Sequence, residues 1–193
     1  MASRRSLILL TIIASLCLAG CGGHKDNPVP RPVAYPRVEP YPALYDTICS
    51  EGVLLPVNAG ATSTLLQKDR QSAWINVGYP RYNATLRYTL SRLHGKELAG
   101  AIDNRLTRMS LNAGGNTTEI IELQSLDGIK STILVTPGAV VTPVQILSTD
   151  SAGIMLSGVL EINSPTATPE EISPVVAAVK EDLLYTAKHI SRQ

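Results

Sequence analysis

The sequence predicts a single α+β domain, a mainly antiparallel β-sheet packed against two main α-helices. Three observations lead there. Segments that alternate apolar and polar residues come in pairs joined by short turn-forming stretches, the signature of antiparallel neighbours. Only two stretches repeat apolar residues at helical spacing. The 193 residues are 44% hydrophobic but only 4% aromatic, with no phenylalanine, so one core must be built from Leu, Ile, Val and Ala. A charged content of 17% excludes a disordered tail and a supercharged nucleic-acid binder.

The amino terminus reads as a lipoprotein signal. Arg4 and Arg5 precede an apolar run from Leu7 to Ala19, shorter than the roughly 20 residues a spanning helix needs. It ends Leu18-Ala19-Gly20-Cys21, which resembles the bacterial lipobox, whose cysteine thiol accepts a diacylglyceryl group. The expected organisation is therefore a signal peptide at 1–20, lipidated Cys21 with a Pro-rich tether at 21–45, and a globular α+β domain at 46–193. Removing Arg4 and Arg5 turns 17 basic and 16 acidic residues into a mature net charge of −1, with no steering toward phosphate. Nucleic acid is not an expected partner; the membrane, through the lipid, is.

Of Cys17, Cys21 and Cys49, only Cys49 then keeps a free thiol, so an intramolecular disulfide is excluded. A nucleophilic role would need a basic partner such as His24 or His94. Cys49 is expected instead to be a buried, inert residue at the start of a strand.

Between Pro28 and Pro42 six prolines preclude helix and central strand and favour polyproline II. At about 3.1 Å per residue the tether spans on the order of 70 Å when extended. Tyr35, Tyr41 and Tyr45 alternate with the prolines, marking either a stiff spacer partly wrapped on the domain or a docking strip. Gly22 stands where an inner-membrane retention signal would place Asp, so the expected location is the outer membrane, facing the periplasm.

The globular elements follow in order. Ile48 to Val57 reads as one irregular strand interrupted by Gly52 and Pro56. Ala73 to Tyr79 is a strand, ended by Pro80-Arg81. From Asn83 to Ser91, Ala84, Leu86, Tyr88 and Leu90 share one face of a half-buried strand. Leu98, Ile102, Leu106 and Met109 form the stripe of an amphipathic helix that Gly114-Gly115 terminates. Thr118 to Ser125 and Ile129 to Thr136 flank the hairpin turn Leu126-Asp127-Gly128. Val141 to Thr149 and Ile154 to Asn163 flank a second hairpin turn at Asp150–Gly153. Thr168-Pro169-Glu170-Glu171 supplies an N-cap, a first-turn proline and a capping-box Glu for a terminal helix whose apolar face runs from Ile172 to Ile190.

Catalytic signatures are missing from the sequence. No Gly-x-Ser-x-Gly, His-Glu-x-x-His, Cys-x-x-Cys or phosphate-cradling glycine loop occurs. His189 falls in a last helical turn, where a cation favours the dipole. Glu170 and Glu171 serve a helix start, while Glu181 and Asp182 are expected on its solvated face. The reading is therefore no enzyme, no metal and no cofactor. Asp46-Thr47-Ile48 and Asp150-Ser151-Ala152 match an Asp-Ser/Thr-aliphatic acceptor of O-glycosylation in Bacteroidetes, with Thr47 and Ser151 as the acceptors. Asn83 and Asn116 begin N-glycosylation sequons that a bacterial lipoprotein has little reason to use.

Three stretches together resemble the gliding-motility lipoprotein D family (GldD) of Bacteroidetes. They are Pro30-Arg31-Pro32 through Arg37 to Cys49; Trp74-Ile75-Asn76-Val77-Gly78-Tyr79-Pro80-Arg81-Tyr82-Asn83-Ala84-Thr85-Leu86; and Thr142 to Ser151 with Leu156 to Ile162. An acidic-capped helix containing Lys180-Glu181-Asp182 follows. The family uses phenylalanine freely in these strands and this chain has none, which marks it as a distant member. The resemblance implies a lipid-anchored accessory protein of the gliding and type IX secretion machinery, acting on other envelope proteins of that machinery without chemistry of its own. Trp74, Tyr79, Arg81 and Tyr82, in the most family-like stretch, are the candidate partner surface, with core and turn packing as the alternative. A second reading is a periplasmic ligand-binding or chaperone-like lipoprotein that holds a peptide or lipid on the sheet. A hydrolase would need Cys49 or a serine beside His94 or His189.

Overall fold

Alternating segments become antiparallel neighbours in the computed structural model, which describes residues 38–193 apart from 68, 70 and 165. The described residues lie in one compact unit and contain ten strands and two helices. The strands are β1 (Tyr45–Ser50), β2 (Val53–Asn58), β3 (Thr62–Gln67), β4 (Ser72–Tyr79), β5 (Ala84–Arg92), β6 (Glu119–Gln124), β7 (Lys130–Val135), β8 (Val144–Thr149), β9 (Ile154–Ile162) and β10 (Ser191–Arg192). Helix α1 (Gly95–Ala113) lies between β5 and β6, and α2 (Pro169–His189) between β9 and β10. Seven strands form one sheet in the order β3-β4-β5-β9-β8-β7-β6, and β1-β2-β10 form a second. The α+β expectation holds.

The period of two sorts the large sheet into faces. Ile75 and Val77 of β4, Leu86 and Tyr88 of β5, Ile146 of β8 and Leu156 of β9 are buried on the inner face. Against this core packs the α2 stripe of Ile172, Val175, Val176, Val179, Leu183 and Ala187, which also meets β2 of the small sheet. Each fully buried Leu, Ile or Val contributes about 1.5–3 kcal/mol before the entropy of ordering it is charged. Gly158 sits opposite Tyr88, and a Cβ there would lie 2.7 Å from both the Tyr88 ring and Ile146 Cγ2. Only glycine lets the ring lie across the strand. On the outer face α1 covers β8 and β9, over a small cluster of Met109, Leu134 and Leu147.

Helix α2 starts as its sequence dictates. Thr168 Oγ1 accepts from Glu171 N (3.3 Å) and Glu171 Oε2 accepts from Thr168 N (2.9 Å). Thr168→Ala is expected to cost about 1 kcal/mol, read as a lower denaturant midpoint at unchanged slope. An unchanged midpoint would mean that packing alone holds the helix start.

Several expectations need correction. The single strand at 48–57 is two strands, β1 and β2, joined by a tight hairpin at Glu51 and Gly52, both with positive φ (47° and 64°). Both twist the chain into the turn that matches strand twist. Arg92 donates to the Glu51 carbonyl and packs against Gly52. Strand β3 falls in a stretch the sequence left without an element. Strand β8 begins at Val144, after Pro143, and Val141 is exposed. In α1, Leu98, Met109 and Ala113 are buried but Leu106 is 41% exposed. Arg105 and Asn112 face the sheet instead: Arg105 Nη2 donates to Gly158 O (3.2 Å) and Asn112 Nδ2 to Gln145 Oε1 (3.0 Å). Cys49 is exposed in β1 rather than buried, with its thiol 3.1 Å from Gln193 Oε1. Among the described residues β1 is the edge strand of a three-stranded sheet, with no strand beyond it to cover Cys49.

Candidate functional site

Residues 38–44 lie on the domain as a strap. Tyr41 packs its ring against Tyr79, at the end of β4, and Tyr82, in the 3-10 turn Pro80–Tyr82, two rings that themselves stack at 5.8 Å. The ring centroids are 5.8 Å and 5.0 Å away, both edge-on, the arrangement that aromatic quadrupoles favour. Arg81 lies over the outer face of the same ring, its Cζ 4.9 Å from the centroid. Hydrogen bonds sew the strap down: Tyr41 N donates to Tyr82 Oη (3.0 Å), Tyr82 Oη to Glu39 O (3.2 Å), and Arg81 N to Tyr41 Oη (3.2 Å). Burial raises the Tyr82 hydroxyl above its ordinary pKa, with the Tyr41 amide opposing.

Beneath the strap sits a polar hub. Asp182 Oδ1 accepts from Tyr45 Oη and from Asn58 Nδ2, each at 3.0 Å. The second Asn58 proton goes to Pro42 O (3.1 Å), which ties the hub to the strap. Tyr79 also directs its hydroxyl toward this carboxylate. Burial first, and then Asp182, push Tyr45 up to about 12 and carry Tyr79 well above the usual tyrosine range. Tyr88, fully buried, is raised by the same two causes. Outside the hub Tyr45 stacks on Tyr185 (3.5 Å, 5°), and Tyr185 on His189 (4.0 Å). Asp182 is therefore not on a solvated face, as its sequence position suggested; Glu181 is.

The four residues proposed as one partner surface are divided by the strand period. Tyr79 and Tyr82 are 2% and 7% exposed, already occupied by the chain's own Tyr41. Arg81 is exposed as the cover of that contact. Trp74, five residues before Tyr79, points to the opposite face and is 43% exposed. With Leu66, Asn76, Arg87 and Thr89 it lines an open groove of about 320 Å³. Arg87 pairs with Glu161 nearby at 2.5 Å.

Thr47 is exposed in β1 and Ser151 is exposed in the β8–β9 turn. In that turn Asp150 Oδ1 accepts from the amides of Ala152, Gly153 and Ile154 (2.9, 2.9 and 2.8 Å). Partial burial raises the Asp150 pKa, but these three donors outweigh it and hold the carboxyl below its usual range. Cys49 meets Gln193 rather than a histidine, His94 stands at the N-cap position of α1 without a side-chain capping bond, and His189 bonds Tyr185 O. The triad geometry a hydrolase needs is not assembled by these three residues. Among the described residues no group of three or more His, Cys, Asp or Glu is placed to hold a metal, and no helix is long and apolar enough to cross a membrane. Cys21 and the tether to residue 37 lie outside the described residues.

The sequence model of the family described as "Gliding motility lipoprotein GldD" matches residues 25–189. The chain belongs to the GldD family. Membership makes it a gliding motility lipoprotein, and hence a membrane-anchored protein of the cell envelope. The match takes in the strap, the tyrosine hub and the Trp74 groove, and it ends with the last residue of α2. None of the curated proteins matches the chain.

Sequence reasoning missed Tyr41, Asn58, Asp182 and Leu66 as site residues. Only Tyr41 carried a signal, as one of the tyrosines spaced among the tether prolines.

Proposed function

We propose that this GldD-family chain is a lipid-anchored accessory protein of the gliding machinery and the linked type IX secretion system, working by contact with other envelope proteins of that machinery. Cys21 carries the lipid, and the domain faces the periplasm from the outer membrane. The family match over 25–189 carries this reading. Two features of the site support a binding role over a catalytic one: the tyrosine hub is filled by the chain's own side chains, and Trp74 is 43% exposed on the other face. The same reading assigns Thr47 and Ser151, both exposed, as O-glycan acceptors.

Deleting the gene in its host is expected to abolish export of type IX cargo and gliding, or to lower the levels of other machine lipoproteins. Wild type should restore them and Cys21→Ala should not, because the domain loses its membrane. Normal export with every component at its normal level would sink the assignment and leave ligand binding as the better account. The intact mass of the mature protein reads the lipid at Cys21 and the glycans at Thr47 and Ser151 together.

A further inference from the structure

The large sheet ends differently at its two edges. Strand β6 carries Glu119 and Glu122, charges that discourage another strand from pairing there. Strand β3, Thr-Ser-Thr-Leu-Leu-Gln, has no charge and no proline, and no described strand pairs beyond it. No described strand takes up the backbone donors and acceptors on that side, which a further strand could pair with. Each face of the edge carries one exposed leucine among polar residues: Leu65 is 44% exposed and Leu66 54%. Leu66 stands opposite Trp74 on β4, beside the groove of about 320 Å³.

The helix that covers the outer face stops short of this edge. Helix α1 packs on β8 and β9, and on the outer face nearer the β3 edge Leu66, Trp74 and Arg87 are exposed. A second copy of the chain is a poor occupant. Two six-residue edges meet over only about 20 Å, whereas a stable dimer buries about 1,200–2,000 Å². A flexible segment can follow the edge and also fold its side chains over Leu66 and Trp74, with main-chain bonds giving affinity and the groove giving selectivity.

We infer that β3 is a strand-addition site. It takes an extended segment of a partner polypeptide, uncharged and apolar on alternate residues, as an eighth strand of the sheet. This rests on the protein-contact reading given above and supplies its surface. The candidate partner surface then narrows to Leu65, Leu66 and Trp74 on this edge, with Tyr79, Arg81 and Tyr82 left to the strap.

The test uses the full-length chain in detergent micelles and a synthetic heptapeptide alternating threonine with valine or isoleucine. Trp74 is the only tryptophan, so its emission reports on the site directly. Saturable change in that emission, with slowed amide exchange in β3, is the expected result. Binding should weaken at least about tenfold in the Leu65→Lys, Leu66→Lys double variant, since lysine is a natural guard of open edges. It should be lost when the peptide's edge-facing amides are N-methylated. An unresponsive Trp74, or equal binding of the methylated peptide, would overturn the proposal. So would a dimer in light scattering that the lysine variant dissolves, because the occupant would then be a second copy. In the host, a lysine variant present at normal level with full gliding would remove this site alone, whereas a silent gene deletion would remove the wider reading.

Discussion

Raising the pH from about 10 to about 12 is expected to unfold the domain cooperatively. The cause is the cluster of tyrosines around Asp182. An unfolded chain ionises tyrosine near pH 10. In the folded domain burial and the Asp182 charge raise Tyr45 to about 12 and place Tyr79 and Tyr88 higher still. A raised folded-state pKa gives stability that is complete below the unfolded value and drains away as pH climbs toward the folded one. Each fully protected tyrosine removes about 1.4 kcal/mol per pH unit in that window. Tyr79 and Tyr88 together therefore remove about 5 kcal/mol by pH 12, the lower end of the stability of an ordinary domain. Tyr45 and Tyr82 are more open to solvent, and screening reduces their share. Tyrosinate absorbance and circular dichroism should change together, with a steep midpoint above pH 10. Tyr88→Phe should move that midpoint upward. Smooth titration of every tyrosine near pH 10 with an unchanged fold would contradict the buried hub.

Asp182→Ala is expected to be the most damaging single change to a polar group. It removes the acceptor for Tyr45 and Asn58 and leaves the Tyr79 hydroxyl without its nearest carboxylate. A buried donor stripped of its acceptor costs about 1–3 kcal/mol, so a total of about 3–4 kcal/mol is expected, with Asn58, 1% exposed, the largest part. Asp182→Asn should cost less, since it keeps one acceptor oxygen, and should let Tyr45 ionise at lower pH by removing the neighbouring charge. Chemical denaturation of both variants and the Tyr45→Phe double mutant measures the coupling. Additive losses would mean that the hydrogen bond seen at 3.0 Å contributes nothing in solution.

What could be seen in the sequence was what local pattern alone decides. The Ala84–Leu90 alternation, the Asp127-Gly128 turn and the Thr168–Glu171 cap each act within a few residues, and each is found where expected. Family membership was legible from the Trp74–Leu86 stretch. What escaped depends on distant partners. Strand β3 has polar residues on both faces and exists because β4 offers it a ladder. Asp182 looked solvated because its donors, Tyr45 and Asn58, stand more than 120 residues upstream. The misgrouping of Trp74 with Tyr79 was avoidable: an odd separation within one strand puts two side chains on opposite faces.

The strap also determines how the domain meets mechanical load. Tension travelling along the chain from residue 37 reaches Tyr41 before it reaches β1. To peel β1 from β2 it must first pull the Tyr41 ring off those of Tyr79 and Tyr82 and break the bonds of Glu39, Tyr41 and Pro42 to Tyr82, Arg81 and Asn58. Those hydrogen bonds end on the Pro80–Tyr82 turn that joins β4 to β5 and on Asn58 at the end of β2, rather than on the edge strand β1. Tension arriving at residue 38 is thus taken first by the turn between β4 and β5 and only then by the β1–β2 hairpin.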